Sequence, residues 1–157
     1  MKSDSVTAVK RAVVALLQTA AFEEALQGVE VELGVQVPRP RQFYTHELTR
    51  PPDAFPAVEV ATPRSEIDRE TDAHSYRHHL LVTWTFIGDD ETHVVEWVEA
   101  ALLASRRLLF RALLDLDGTE VPIIPQGESY TMLTRARNLP ATLIKAGVLE
   151  LIVPTVG

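Results

Sequence analysis

Five histidines, His46, His74, His78, His79 and His93, are the side chains with the chemistry to hold a metal or shuttle a proton at neutral pH. Their spacing argues against a metal centre. His78 and His79 are adjacent, so on a strand they point to opposite faces, and no HExxH pair or His-x-His with a third ligand accompanies them. His74 and His78 converge only on a strand that begins early and bends. The histidines are therefore expected to be solvated or at interfaces, with no metal and no other cofactor.

Nucleophilic catalysis fares no better. There is no GxSxG elbow, and the absence of cysteine removes thiolate nucleophiles, disulfides and Cys-ligated zinc together. The glycines are scattered and form neither GxGxxG nor a P-loop. The paired carboxylates Asp89–Asp90 and Glu23–Glu24 fall where turns and helix starts already account for acidic residues. Only convergence in space would assemble a catalytic site from these groups, so no catalytic residue is assigned and a non-enzyme is expected.

Residues suited to binding are easier to find. Between 38 and 56 lie Pro38, Pro40, Pro51, Pro52 and Pro56, which prevent regular ladder pairing through most of the segment. This arm also carries Arg39, Arg41 and Arg50, with Phe43 and Tyr44 between them. A loop has use for two aromatics when they anchor it to its own domain or to a partner. Arg135 and Arg137 form a second basic pair. Arg39, Arg41, Phe43, Tyr44, Arg50, Arg135 and Arg137 are thus the candidate subunit-interface residues. Arg106, Arg107 and Arg111 complement the negative end of a helix instead.

The elements that position these groups follow from periodicity. Val6, Val9, Val13, Leu16, Leu17 and Ala20 recur at helical spacing behind Ser3, Asp4 and Ser5, predicting a helix over 6–26 that Gly28 ends. Val29, Val31, Leu33, Val35 and Val37 occupy alternate positions, predicting a strand that Gly34 interrupts as a bulge. A short strand is expected at 57–61 and a charged loop at 62–74. Residues 75–87 read as the clearest strand, with Tyr76, Leu80, Val82, Trp84 and Phe86 on one face. Gly88, Asp89 and Asp90 lead into a long helix over 91–116, closed by Gly118. Short extended pieces follow at 121–124 and 129–133, with a last strand at 147–153.

The 157 residues are 46% hydrophobic and 24% charged, which suits one globular domain spanning 1–157. Its expected class is α+β: a mainly antiparallel sheet with two helices packed on one face and long loops between strands. The opening MKSDSVTAVKRAVVALL is too short and too interrupted by Lys10 and Arg11 for a signal peptide or a membrane span, so no membrane is expected as partner. A net charge of −7 opposes general affinity for nucleic acid.

The stretch HHLLVTWTFIGDDETHVVEWVEAALLASRRLLFRALLD takes a long strand through an acidic turn into the main helix, and LELIVPTV closes the chain. With the first helix and the long irregular connections, this layout resembles the tail-terminator and tail-completion (head–tail joining) proteins of tailed bacteriophages, over most of the chain. The resemblance implies a structural virion protein, assembled in the host cytoplasm. It would form a homo-oligomeric ring, a hexamer, that caps the tail tube and joins it to the head connector at the neck. Tail-tube and connector or neck proteins would be its partners, and DNA would pass through the lumen without specific binding. Two alternatives stay open on the residues alone. One is a small-ligand or regulatory domain with an apolar pocket around Trp84 or Trp97; the other is an assembly adaptor of another contractile or secretion machine.

Overall fold

The computed structural model describes residues 5–68, 75–136 and 139–156. The chain begins with α1 (Val6–Leu17) and α2 (Ala20–Leu33), two helices where the periodicity predicts one. The break falls at Thr19, which turns extended, accepts from the Phe22 N–H at 3.3 Å through Oγ1 and donates to Leu16 O at 2.7 Å. Thr19 is a side-chain N-cap, and the helix breaks there with neither Gly nor Pro at the junction.

The strand expected over 29–37 is absent: its first half is the end of α2. Val29 completes a helical stripe with Phe22 and Leu26, all buried, while Val31 and Leu33 are 87% and 46% exposed. Gly34 caps this helix in the left-handed region at φ 68° and does not form a bulge. Alternation of valines mimicked a strand, but i, i+4 and i+7 from Phe22 satisfy a helix, and burial of one stripe decided it.

The sheet follows. β1 (Gln42–Tyr44) pairs parallel with β2 (Ala57–Asp68), β2 pairs antiparallel with β3 (Ser75–Gly88), and β3 pairs antiparallel with β8 (Leu139–Val156). The far side of β8 carries β6 (Ile124–Tyr130) and β7 (Thr134–Ala136), giving the order β1-β2-β3-β8-β6 with β7 also on β8. This is the mainly antiparallel α+β class that the sequence implies. Two strands are longer than expected. β2 continues through 62–68 where a charged loop was predicted, with a register shift between Ala61 and Arg64. An edge strand needs no apolar outer face, and Glu66 opposes Arg77 across the ladder. β8 extends the expected 147–153 in both directions because β3 offers it a continuous partner from Gly88 back to Ser75.

The main helix, α3 (Glu91–Leu109), is shorter than the predicted 91–116. Asp90 caps it by accepting from the His93 N–H at 3.0 Å. Residues 113–116 instead form β4 (Leu113–Leu116), hairpinned to β5 (Thr119–Pro122) around Asp117 and Gly118. Both turn residues have positive φ, 54° and 85°, which the Asp-Gly pair tolerates and a helix end does not use twice.

Among the described residues three helices, not two, cover one face of the sheet. That face presents Leu80, Val82, Trp84 and Phe86 of β3 with Leu149, Leu151 and Val153 of β8, all buried. α3 lies so close on β8 that a Cβ at Gly147 would stand 2.7 Å from Val98 Cγ1 and 2.8 Å from Leu102 Cδ1. Ring stacking continues the core sideways, Phe22 over Trp84 and Trp84 beside Phe86, with centroids 5.6 and 6.1 Å apart. The opposite face carries half-buried Glu59, Leu81, Thr83, Ile144 and Val148.

Candidate assembly interface

The histidines separate along the fold. Among the described residues no three of His, Asp and Glu gather into a metal-holding group. His46 lies edge-on to Tyr44, His93 stacks on Trp97, His79 Nε2 lies 3.4 Å from Glu66, and His74 falls outside the described residues.

His78 departs from the expectation of a solvated or interface residue, being 2% exposed. Its Nδ1 lies 2.7 Å from Ser65 Oγ on β2 and its Nε2 lies 3.2 Å from Thr155 Oγ1 on β8, so one imidazole bridges three strands. Parity alone placed it: His78 is in phase with Leu80, Val82, Trp84 and Phe86. The two contacts satisfy a buried polar ring between strands.

The arm's candidate residues occupy different situations. Arg39 is pinned within its own chain: Nη2 sits 2.9 Å from Glu23 Oε1 and 2.7 Å from Glu30 Oε1, and Nη1 donates to Val37 O at 2.8 Å. Glu30 also accepts the Val37 N–H at 2.8 Å, so the pair locks the chain as it leaves α2. The Arg39 hydrogen bond holds the Glu30 carboxyl below the ordinary carboxylate range, and Glu30 in return raises Arg39. Phe43 is half-buried against the core. Tyr44 is half-buried with its hydroxyl on Gln42 Oε1. Both belong to β1, where parallel pairing with β2 anchors the middle of the arm.

Arg41 and Arg50 are exposed, Arg41 with its N–H on Pro56 O at 2.8 Å. Beyond β1 the arm returns to the uncovered sheet face, where Glu59 accepts a backbone hydrogen bond from Leu48. Burial pushes the Glu59 carboxyl up, against that bond. Arg135 is exposed on β7, far along the sheet from the arm, and Arg137 lies outside the described residues. The structure thus gathers Arg41, Phe43, Tyr44 and Arg50 at the β1 end and separates Arg135 from them.

Surfaces that sequence reasoning missed lie at the other end. Phe110 at the close of α3 is 63% exposed, Tyr130 44% and Met132 84%. Arg106, Phe110, Pro125, Gln126, Gly127 and Glu128 line a cleft of about 370 Å³ between α3 and β6, spanned by the 2.8 Å Arg106–Glu128 ion pair. Burial and the neighbouring Glu128 push the Tyr130 hydroxyl up to about 12, so it stays a donor at physiological pH. The misassigned end of α3 hid this surface, because Phe110 falls on a helix flank in the longer prediction. Trp84 is fully buried within the packed core, and Trp97 lines a cleft of about 380 Å³ with Gly34, Val35, Gln36, His93 and Glu96.

No helix among the described residues is long and apolar enough to cross a membrane. No family of known proteins and no curated protein matches the sequence. The chain is similar to a chain of a solved structure, the virion of a native gene transfer agent particle, at 14% identity and a TM-score of 0.48, with 94% of each chain covered.

Proposed function

We propose that this chain is a structural, non-catalytic subunit of a phage-like virion. It assembles as a homo-oligomeric ring at the head–tail interface, caps the tail tube and joins it to the head connector. The observation that carries this reading is the division of the sheet. Three helices close one face, while each end of the strand order carries an exposed, chemically distinct surface, with Arg41 and Arg50 by β1 and Phe110 and Tyr130 by β6. Surfaces that point apart on one rigid sheet suit subunits that meet neighbours on both sides.

The layout that resembles tail-terminator proteins supports the same reading. So does the charge, since a ring of −7 chains lets DNA pass without holding its phosphates. The polar groups brought together in space, Ser65, His78 and Thr155, are explained by strand bridging.

The test is the native mass of the purified protein over a concentration and salt series, alone and with tail-tube protein, followed by electron microscopy of any assembly. Rings of fixed stoichiometry that bind the tube end are expected. A chain that stays monomeric in every condition, including with tube protein, overturns the reading.

A further inference from the structure

We propose, independently of the ring reading, that the outer stripe of α2, from Glu24 through Gly28 to Val31, together with the clefts at its C-terminal end, docks a basic amphipathic helix of another protein. Glu24, Gly28 and Val31 stand at i, i+4 and i+7, so they share one face of the helix, and all three are exposed.

Gly28 is the residue that the chain's own packing leaves unexplained. It lies inside α2, where glycine is unfavourable, and it has no positive φ. A Cβ at this position would meet nothing within 4 Å. Glycine at an open point on a helix lets a second backbone come close.

The surface beside it is apolar at its floor. Val31 is 87% exposed and lines an open cleft of about 730 Å³ with half-buried Val35. Across the wall formed by 34–36, Val35 and half-buried Trp97 line the cleft of about 380 Å³. Val31, Val35 and Trp97 therefore make one apolar run, unlike singly scattered exposed side chains.

Charge defines the partner. α2 carries four glutamates and no lysine or arginine, and α3 adds Glu96 in the smaller cleft. Glu23 and Glu30 engage Arg39, and Glu32 engages Arg107. These five carboxylates thus face two guanidiniums, and among the described residues Glu24 and Glu96 have no ion-pair partner. An occupant with an apolar stripe and a cationic rim fits this surface, whereas nucleic acid is repelled. A second copy has no such helix to offer, because among the described residues the apolar stripes of α1, α2 and α3 are buried in its own core.

The probe is a synthetic amphipathic helix of leucine and lysine, about five turns long, with a scrambled peptide of the same composition and a leucine–glutamate counterpart as controls. Each is titrated by calorimetry into the wild-type protein and into Gly28→Gln and Val31→Gln, with thermal melts and native masses measured for all three proteins. The patterned basic helix is expected to bind the wild type, and each substitution to weaken it tenfold or more without lowering the melting temperature. The leucine–glutamate peptide should not bind. No binding of the basic helix overturns the proposal. Equal binding of the scrambled peptide, or of the variants, also overturns it by showing attraction to an acidic surface at large. Native mass should be the same for wild type and Gly28→Gln; self-association that Gly28→Gln abolishes would make a second copy the occupant and overturn the assigned partner.

Discussion

The indole of Trp84 stacks on the ring of Phe22, centroids 5.6 Å apart and planes inclined by 25°, and so ties the central strand β3 to α2. Trp84 is fully buried, and its Nε1 has no hydrogen-bond partner among the described residues. Trp84→Ala is expected to cost roughly 3–5 kcal/mol, as deletion of a large buried aromatic does. Trp84→Phe should cost much less, about 1–2 kcal/mol, because it keeps the stack and removes an unsatisfied donor. Urea unfolding followed by circular dichroism checks both; equal costs would show that ring stacking contributes little.

Gly147 is where α3 meets β8. Its own backbone is unstrained, but a methyl there would press within 3 Å of Val98 and Leu102. Gly147→Ala is expected to destabilise by about 1–3 kcal/mol through overpacking. Adding Leu102→Ala should make the pair less costly than the sum of the two single changes. Strict additivity in the double-mutant cycle would show that the helix shifts without strain.

The His78 bridge sets a third expectation. Removing the ring in His78→Ala leaves Thr155, 2% exposed, without this partner and opens a cavity, for a loss of roughly 2–4 kcal/mol. Ser65 sits on the exposed side of the same bridge, so Ser65→Ala should cost about 1 kcal/mol or less. Since the pair is read as structural, Ser65→Ala should leave assembly unchanged by native mass.

Two carboxylates give opposite pH slopes. Glu30 is depressed by Arg39, so its contribution to stability is complete above the ordinary carboxylate value and is lost as pH falls through the lower folded value. Glu59 is raised by burial, so a destabilising contribution sets in as pH climbs from the ordinary value through the folded one and persists above it. Glu30→Gln should destabilise at neutral pH with little effect in acid. Glu59→Gln, which keeps an oxygen for the Leu48 N–H, should stabilise at neutral pH with little effect in acid. Thermal melts across pH separate the two, and parallel profiles for wild type and variants would contradict both assignments.

The sequence by itself determined the class of this protein and its strongest elements. Alternation over 75–87 specified β3 and its buried face, because a strand with one covered side must alternate. Asp90 and the apolar stripe behind it specified where α3 starts, and the prolines of 38–56 kept that arm irregular but for three residues. Tertiary structure decided whatever depended on a partner distant in the chain. Val29, Val31 and Leu33 satisfy strand and helix spacing alike until Phe22 and Leu26 claim Val29 for one stripe. Residues 62–68 have little to bury and form a strand only because β3 offers a ladder. Arg39 looked free for a neighbour and is held by Glu23 and Glu30. Ser65, His78 and Thr155 meet only once the β2–β3–β8 register is set, since hydrogen bonds across strands follow from pairing and local propensity does not encode pairing.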